Sequence, residues 1–223
     1  MALTDEAIVR IKEMIVSGQL RPGDKLPREA DLAETLGLSR NSLREAVKAL
    51  SLMNVLDVRQ GDGTYVTSLD PNLLLDALTF VVDFHRDDSV LEFLRVRRIL
   101  EPAAAAMAAQ SVTAEQVHHM QEVIDASLAG DVPEDLLTLD IEFHRLVGAA
   151  SGNSVLASLI EGLSAPTNRA RVWRGRTEPG AQERTAREHQ AVLDALSAGE
   201  PDLAHAAMVA HVAGVENWLR KVR

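Results

Sequence analysis

The chain has 223 residues, of which 46% are hydrophobic and only 3% aromatic, with no cysteine and a formal net charge of −10. This length and apolar content allow one large domain or two small ones with a sizeable core, and the wealth of alanine and leucine favours helix over sheet. Disulfide frameworks and thiolate metal sites are excluded, no run approaches the roughly 18 apolar residues of a membrane span, and the N-terminus lacks a basic segment followed by an apolar one, so a soluble, cytoplasmic protein without a membrane partner is expected.

In chain order, Thr4 is expected to cap a first helix, with Asp5 and Glu6 in its first turn and Ile8, Ile11 and Ile15 as its buried stripe, ended by Gly18. Arg21-Pro22-Gly23-Asp24 is a turn. Pro27 falls in the first turn of a second helix that carries Leu32, Ala33 and Leu36 and stops at Gly37. Ser39 caps a third helix, whose apolar side is Leu43, Ala46, Val47 and Leu50. Two short helices separated only by Gly37-Leu38 must cross steeply, which is the helix-turn-helix that lays its second helix in a DNA major groove. Arg40, Asn41 and Arg44 then lie opposite the apolar side, where they reach base edges; the plainer alternative is two amphipathic helices with ordinary surface arginines.

Val55–Arg59 and Thr64–Thr67 read as strands around a turn at Gln60-Gly61-Asp62-Gly63, which makes either a wing or a plain surface hairpin. Through Asp70 there are nine Lys and Arg against eleven Asp and Glu, a balance of −2, which leaves −8 for the rest of a chain at −10. The acidity therefore sits away from this part, where Arg28, Arg40, Arg44, Lys48 and Arg59 gather toward one side and suit phosphates.

Ser68–Pro71 reads as a linker between a winged helix-turn-helix domain at 1–69 and an all-helical domain at 72–223. Helices are expected over Asn72–Phe84, from the capping box Ser89-Val-Leu-Glu92 to about Gln110 with a kink at Pro102, from the capping box Thr113-Ala-Glu-Gln116, from Asp131-Val-Pro-Glu134 to about Gly152, from Asn153 with a bend near Pro166, between Pro179-Gly180 and Gly199, and from Pro201 onward. About seven helices with short connections make an antiparallel bundle, so the fold class is mainly α.

Asp140 and His144, four residues apart, share one helical face with Leu136, Leu137, Ile141 and Val147. His189 shares a stripe with Val192, Leu193 and Leu196, and His211 with Ala204, Met208, Val215 and Trp218. One carboxylate and three imidazoles thus point inward from three helices. A divalent cation compensates such a group; three N and one O suit zinc, with nickel or manganese as alternatives. Taken singly, each histidine could equally be a satisfied core residue. His85, His118, His119 and His205 lack the pattern.

The phrase PGDKLPREADLAETLGLSRNSLREAVKAL, with VRRILEPAAAAMAA, DIEFHRLVGAASGN and EHQAVLDALSAGEPDLAHAAMVAH further on, resembles the GntR family of bacterial transcription factors. Within it the chain looks like the FadR subfamily, whose C-terminal part is the FCD ligand-sensing bundle, and the likeness covers nearly the whole chain. The resemblance implies DNA contacts from Ser39, Arg40, Asn41 and Arg44, with Gly61 in the wing. It also implies Asp140, His144, His189 and His211 as metal ligands, and a role for Arg97 in holding an organic acid beside the metal. Members often carry Ser-Glu-Arg where this chain has Arg28-Glu29-Ala30, so Arg28 is left to replace part of a missing contact, and Asp62 puts a negative charge in the wing.

The reading that follows is a homodimeric regulator, on balance a repressor, that binds double-stranded operator DNA and releases or grips it in response to a small carboxylic acid. Asn168, Arg169 and Arg171 are further candidates for holding the acid, although Thr167–Arg171 reads equally as a solvated face. The rivals are a metal-dependent hydrolase and a direct metal sensor.

Overall fold

The computed structural model describes residues 3–69, 89–130 and 132–222. They belong to two compact units, residues 1–74 and 75–223, each with its own core. The helix expected over Asn72–Phe84, the end of the linker at Asp70-Pro71, and His85 lie outside the described residues.

In the first unit, α1 (Leu3–Val16) is already helical at Leu3, so Thr4 sits within its first turn rather than capping it. Its buried line is Ala7, Ile11 and Met14, at helical spacing, with Ile8 and Ile15 half-buried on the flanks. Helix α2 (Glu29–Leu36) follows Arg28, an extended N-cap without a side-chain bond, which leaves Pro27 just outside the helix. Gly37 closes α2 at φ +68°, a left-handed conformation that costs a residue with Cβ far more than glycine. Helix α3 (Arg40–Leu52) is capped by Ser39, whose Oγ accepts the Ser42 N–H at 3.1 Å.

Strands β1 (Leu56–Arg59) and β2 (Gly63–Val66) pair antiparallel with Arg59 opposite Gly63, so Gly63 belongs to the strand and the loop is one residue shorter than the sequence suggests. Two strands alone are marginal. Here the free side of β2 is covered, because Leu26 N–H donates to the Thr64 carbonyl at 2.8 Å and Val66 N–H to the Asp24 carbonyl at 2.9 Å. Leu56 and Val66 then tie the hairpin to the same core as Ile11, Leu32, Leu43 and Leu50.

The second unit is helical among the described residues: α4 (Ser89–Ala108), α5 (Ala114–Ala129), α6 (Pro133–Ala150), α7 (Ser154–Ser164), a 3-10 turn (Ala165–Thr167), α8 (Asn168–Thr177), α9 (Ala181–Ser197) and α10 (Pro201–Val222). The local signals act as expected at several ends. Thr113 and Gln116 form a reciprocal capping box on α5, Asn153 caps α7, and Pro133 and Pro201 stand at the first positions of α6 and α10. Helix α4 continues through Pro102. The one bent helix expected after Asn153 is two helices, because the turn carrying Pro166 separates α7 from α8. Helix α10 packs along α4 and α9, and α6 packs against α5 and α7.

Two apolar clusters result. One includes Met120, Phe143, Val192 and Val212, and the other Leu94, Ala170, Val215 and Trp218. Glu216 of α10, itself buried, accepts from Arg220 and lies 3.2 Å from Arg98 of α4, which adds a polar tie between these helices. No helix among the described residues is long and apolar enough to cross a membrane.

Leu43 is fully buried at the contact of α2 and α3. Leu43→Ala is expected to destabilise the first unit by about 2–5 kcal/mol, measured as a lower denaturation midpoint for that unit in the full-length protein.

Candidate functional site

In the first unit, Arg28, Ser39, Arg40, Asn41 and Arg44 are all exposed at the start of α2 and α3. Arg44 donates from Nε and Nη2 to Glu29 Oε2 at 3.3 Å, and Lys48 pairs with Glu45 at 2.9 Å. Arg28 and Arg40 have no carboxylate partner among the described residues and are open to a phosphate. Ser39 Oγ is engaged with Ser42, as its capping role requires. At the wing, Gly61 is exposed with φ +79°. Asp62, whose charge counts against phosphate contact, is answered by Lys25 at 2.9 Å and by the Tyr65 hydroxyl at 2.9 Å. Those hydrogen bonds hold its carboxyl below the usual range. Lys25 reaches this position across Gly63, where a Cβ would collide with Lys25 Cε.

In the second unit, Asp140 and His144 of α6, His189 of α9 and His211 of α10 present donor atoms that all lie within 4.8 Å of one another. The three imidazoles are buried. Nε2 of His211 lies 3.2 Å from Nε2 of His144 and 3.3 Å from Nε2 of His189, and Asp140 Oδ1 lies 3.3 Å from His189 Nε2 and 3.7 Å from His144 Nε2. A tetrahedral ion with bonds of about 2.1 Å separates its ligands by about 3.4 Å, so these spacings fit a shared cation.

Two of the outer nitrogens face carboxylates. Glu101 Oε2 lies 2.7 Å from His144 Nδ1, and Glu188 Oε2 lies 2.9 Å from His211 Nδ1. At His211 that hydrogen bond places the proton on Nδ1 and leaves Nε2 free as a ligand, while at His144 the carboxylate is a close charge neighbour outside hydrogen-bonding geometry. His189 is held instead by its ring, stacked on Phe143 at 4.0 Å between centroids.

Burial lowers the pKa of all three imidazoles, and the nearby rings add to it, His211 for His189 and His144 for His211, against the opposing pull of the carboxylates. Neutral imidazole is the form a metal requires. Burial alone would raise the Asp140 carboxyl, but Arg171 and the histidines outweigh it and hold it well below the ordinary range. Burial would likewise raise Glu101, which Arg97 and His144 keep ionised.

A cavity of about 140 Å³ opens beside this cluster, reached by Asp140, His189, His211, Arg171, Arg174 and Thr185. Arg171 donates from Nη1 to Asp140 and from Nη2 to Asn168 Oδ1 at 2.8 Å, while its buried Nε has no partner. Burial, reinforced by Arg97, lowers its pKa to about 10, so it remains a cation at neutral pH. Asn168 thus braces Arg171, and Arg169 faces solvent. Arg97 does not line the cavity. It is fully buried behind His144, donating to Glu101 and to Thr167 Oγ1 at 3.0 Å. The sequence reading passes over Glu101, Glu188, Arg174 and Thr185. The available signals are weak: Glu101 follows Arg97 by four residues and Arg174 follows Arg171 by three, spacings equally common on solvated helices.

A winged helix-turn-helix joined in one chain to a helical unit with a polar cluster and cavity defines a DNA-binding regulator with a sensing unit. The comparisons agree. Residues 3–66 match the bacterial regulatory proteins of the gntR family and residues 92–214 match the FCD domain. The chain is 32% identical to the HTH-type transcriptional regulator LutR of Bacillus subtilis, over 92% of this chain and 96% of that protein. It is 27% identical to the galactonate operon transcriptional repressor of Escherichia coli, over 98% of this chain and 97% of that one. A solved GntR structure from Streptococcus agalactiae superposes with a TM-score of 0.75 at 28% identity, covering 96% of this chain and 99% of that one. The chain belongs to the GntR family, in its FCD-bearing, FadR-like branch, and is a transcription regulator, not an enzyme.

The depressed imidazole pKa values set a pH dependence. Unfolded histidines take up protons near pH 6.5, before the folded ones do, so the unfolded chain binds more protons below that value and stability falls as pH falls. The second unit of the metal-free protein is expected to melt at a lower temperature at pH 5 than at pH 7.5. In His211→Gln this difference should shrink, as read by calorimetry.

Proposed function

We propose that the protein is a cytoplasmic homodimeric repressor whose operator affinity is set by a small carboxylic acid bound beside a divalent metal, zinc in the first instance. The observation that carries this reading is the convergence of Asp140, His144, His189 and His211 on one point at the wall of a cavity that also holds a buried arginine. Arg171 is the charge partner for the acid, since its Nε is unfilled and it touches both Asp140 and the cavity. Arg97 acts at one remove, by keeping Glu101 against His144. One relative of nearly the same length is named as a repressor, which favours repression here.

In the first unit, Arg40, Asn41 and Arg44 read base edges, Arg28 and Ser39 meet the backbone, and Gly61 brings the wing to it. A single short recognition helix reads few base pairs, so two copies on paired half-sites are required. The acid acts by binding one of two operator-affinity states better than the other.

Arg44→Ala is expected to weaken binding to DNA fragments retained by the purified protein by about 1–3 kcal/mol, roughly 5- to 150-fold, with helix content intact. Unchanged gel-shift affinity would remove Arg44 from the interface. His189→Ala is expected to lower the metal bound per chain in elemental analysis, and full occupancy would take it out of the ligand set. Titrating metal and acids separately against operator binding distinguishes the two sensing modes: release by metal alone makes the metal itself the signal.

A further inference from the structure

Building on the reading that this cavity takes a carboxylate beside the metal donors, we propose that Arg174 forms a second anion-binding position in the same cavity and that the effector is a short dicarboxylate. Arg174 of α8 is only 3% exposed and lines the cavity. Its Nε donates to Glu178 Oε2 at 2.6 Å, and among the described residues nothing accepts from Nη1 or Nη2. A guanidinium has five N–H donors in a planar fork, and the outer edge of this one is left open toward the cavity. Glu178 cannot balance it alone, because its other oxygen takes Arg184 at 2.6 Å. Glu188, which pairs with His211, also stands beside the same Gly214 position as the Arg174 fork but makes no ion pair or hydrogen bond with it, so Nη1 and Nη2 remain donors open to the cavity.

Two neighbours are open in the same way. Gln182 spends both amide hydrogens on the Ser127 and Gly130 carbonyls at 2.7 Å, which fixes its side chain and leaves Oε1. The Thr185 hydroxyl lines the cavity with no partner among the described residues. These groups lie on the α9 wall within two turns of His189.

The spacing suits a two-headed ligand. Arg171 and Arg174 are three residues apart on α8, a rise of about 4.5 Å. Arg174 Nη2 lies 4.0 Å from where a Cβ on Gly214 would sit, and Gly214 is one turn past His211 on α10. The second position is therefore about one helical turn from the donor cluster, with Leu136, Leu137 and Val215 among the apolar walls. A carboxylate at the cluster and a second one in the Arg174 fork are joined by a short carbon chain. The planar fork prefers a carboxylate to a hydroxyl because two parallel charge-assisted hydrogen bonds form.

The test is calorimetry on the full-length, zinc-loaded protein with acids of equal length, succinate against butanoate and glutarate against pentanoate, repeated on Arg174→Gln. Each dicarboxylate is expected to bind roughly 10-fold or more tightly than its partner, and Arg174→Gln is expected to erase that advantage while leaving the monocarboxylate affinity unchanged. Equal affinities within each pair in the unaltered protein overturn the second position and leave the metal-side carboxylate standing. A variant that weakens both acids equally also overturns it. If no acid binds, or binding survives removal of the zinc, the underlying reading fails and this one with it. Where Arg174→Gln loses its helix content, the ratios in the unaltered protein decide.

Discussion

The second unit depends on one electrostatic constraint: a charge buried among helices must be answered by an opposite charge or a hydrogen-bonding group close by. Asp140 is answered by Arg171, Glu101 by Arg97 and His144, and Glu216 by Arg98 and Arg220. Removing one partner from such a pair leaves an uncompensated charge, which is far more costly than the pair is favourable. The network therefore fixes helices α4, α6, α8 and α10 relative to one another more narrowly than apolar packing of alanine and leucine could.

The network has a direction. From the imidazole cluster it runs outward through Glu101 to Arg97 on α4, and through Asp140 to Arg171 on α8, while Thr167 in the 3-10 turn bonds Arg97. The cluster is thereby tied to two other helices. A sensor needs this property, because a ligand shifts an equilibrium only through contacts that differ between its two states.

The first unit solves a different problem. Its net charge is close to neutral, and five of its nine cations are already matched by carboxylates, Arg10 by Glu13, Arg44 by Glu29, Lys48 by Glu45, Arg59 by Asp57 and Lys25 by Asp62. These pairs are exposed and individually weak. Phosphates can replace the carboxylates at little cost, and such matching limits indiscriminate attraction to nucleic acid.

Most of the elements and the candidate donors are legible in local sequence patterns. Gly37 between two amphipathic stretches, Ser39, Thr113 and Asn153 at helix starts, and Asp140, His144, His189 and His211 on apolar stripes are local patterns, and local patterns follow from backbone geometry and periodicity. Tertiary structure decided who faces whom. That Arg97 stands behind His144 rather than in the cavity, that Arg171 and Arg174 reach the cavity while Arg169 faces solvent, and that Lys25 crosses Gly63 to neutralise Asp62 all depend on contacts between residues distant in the chain. The physical reason is that a periodicity tells which side of a helix is buried, but only the packing of helices around one another decides which buried charge finds which partner.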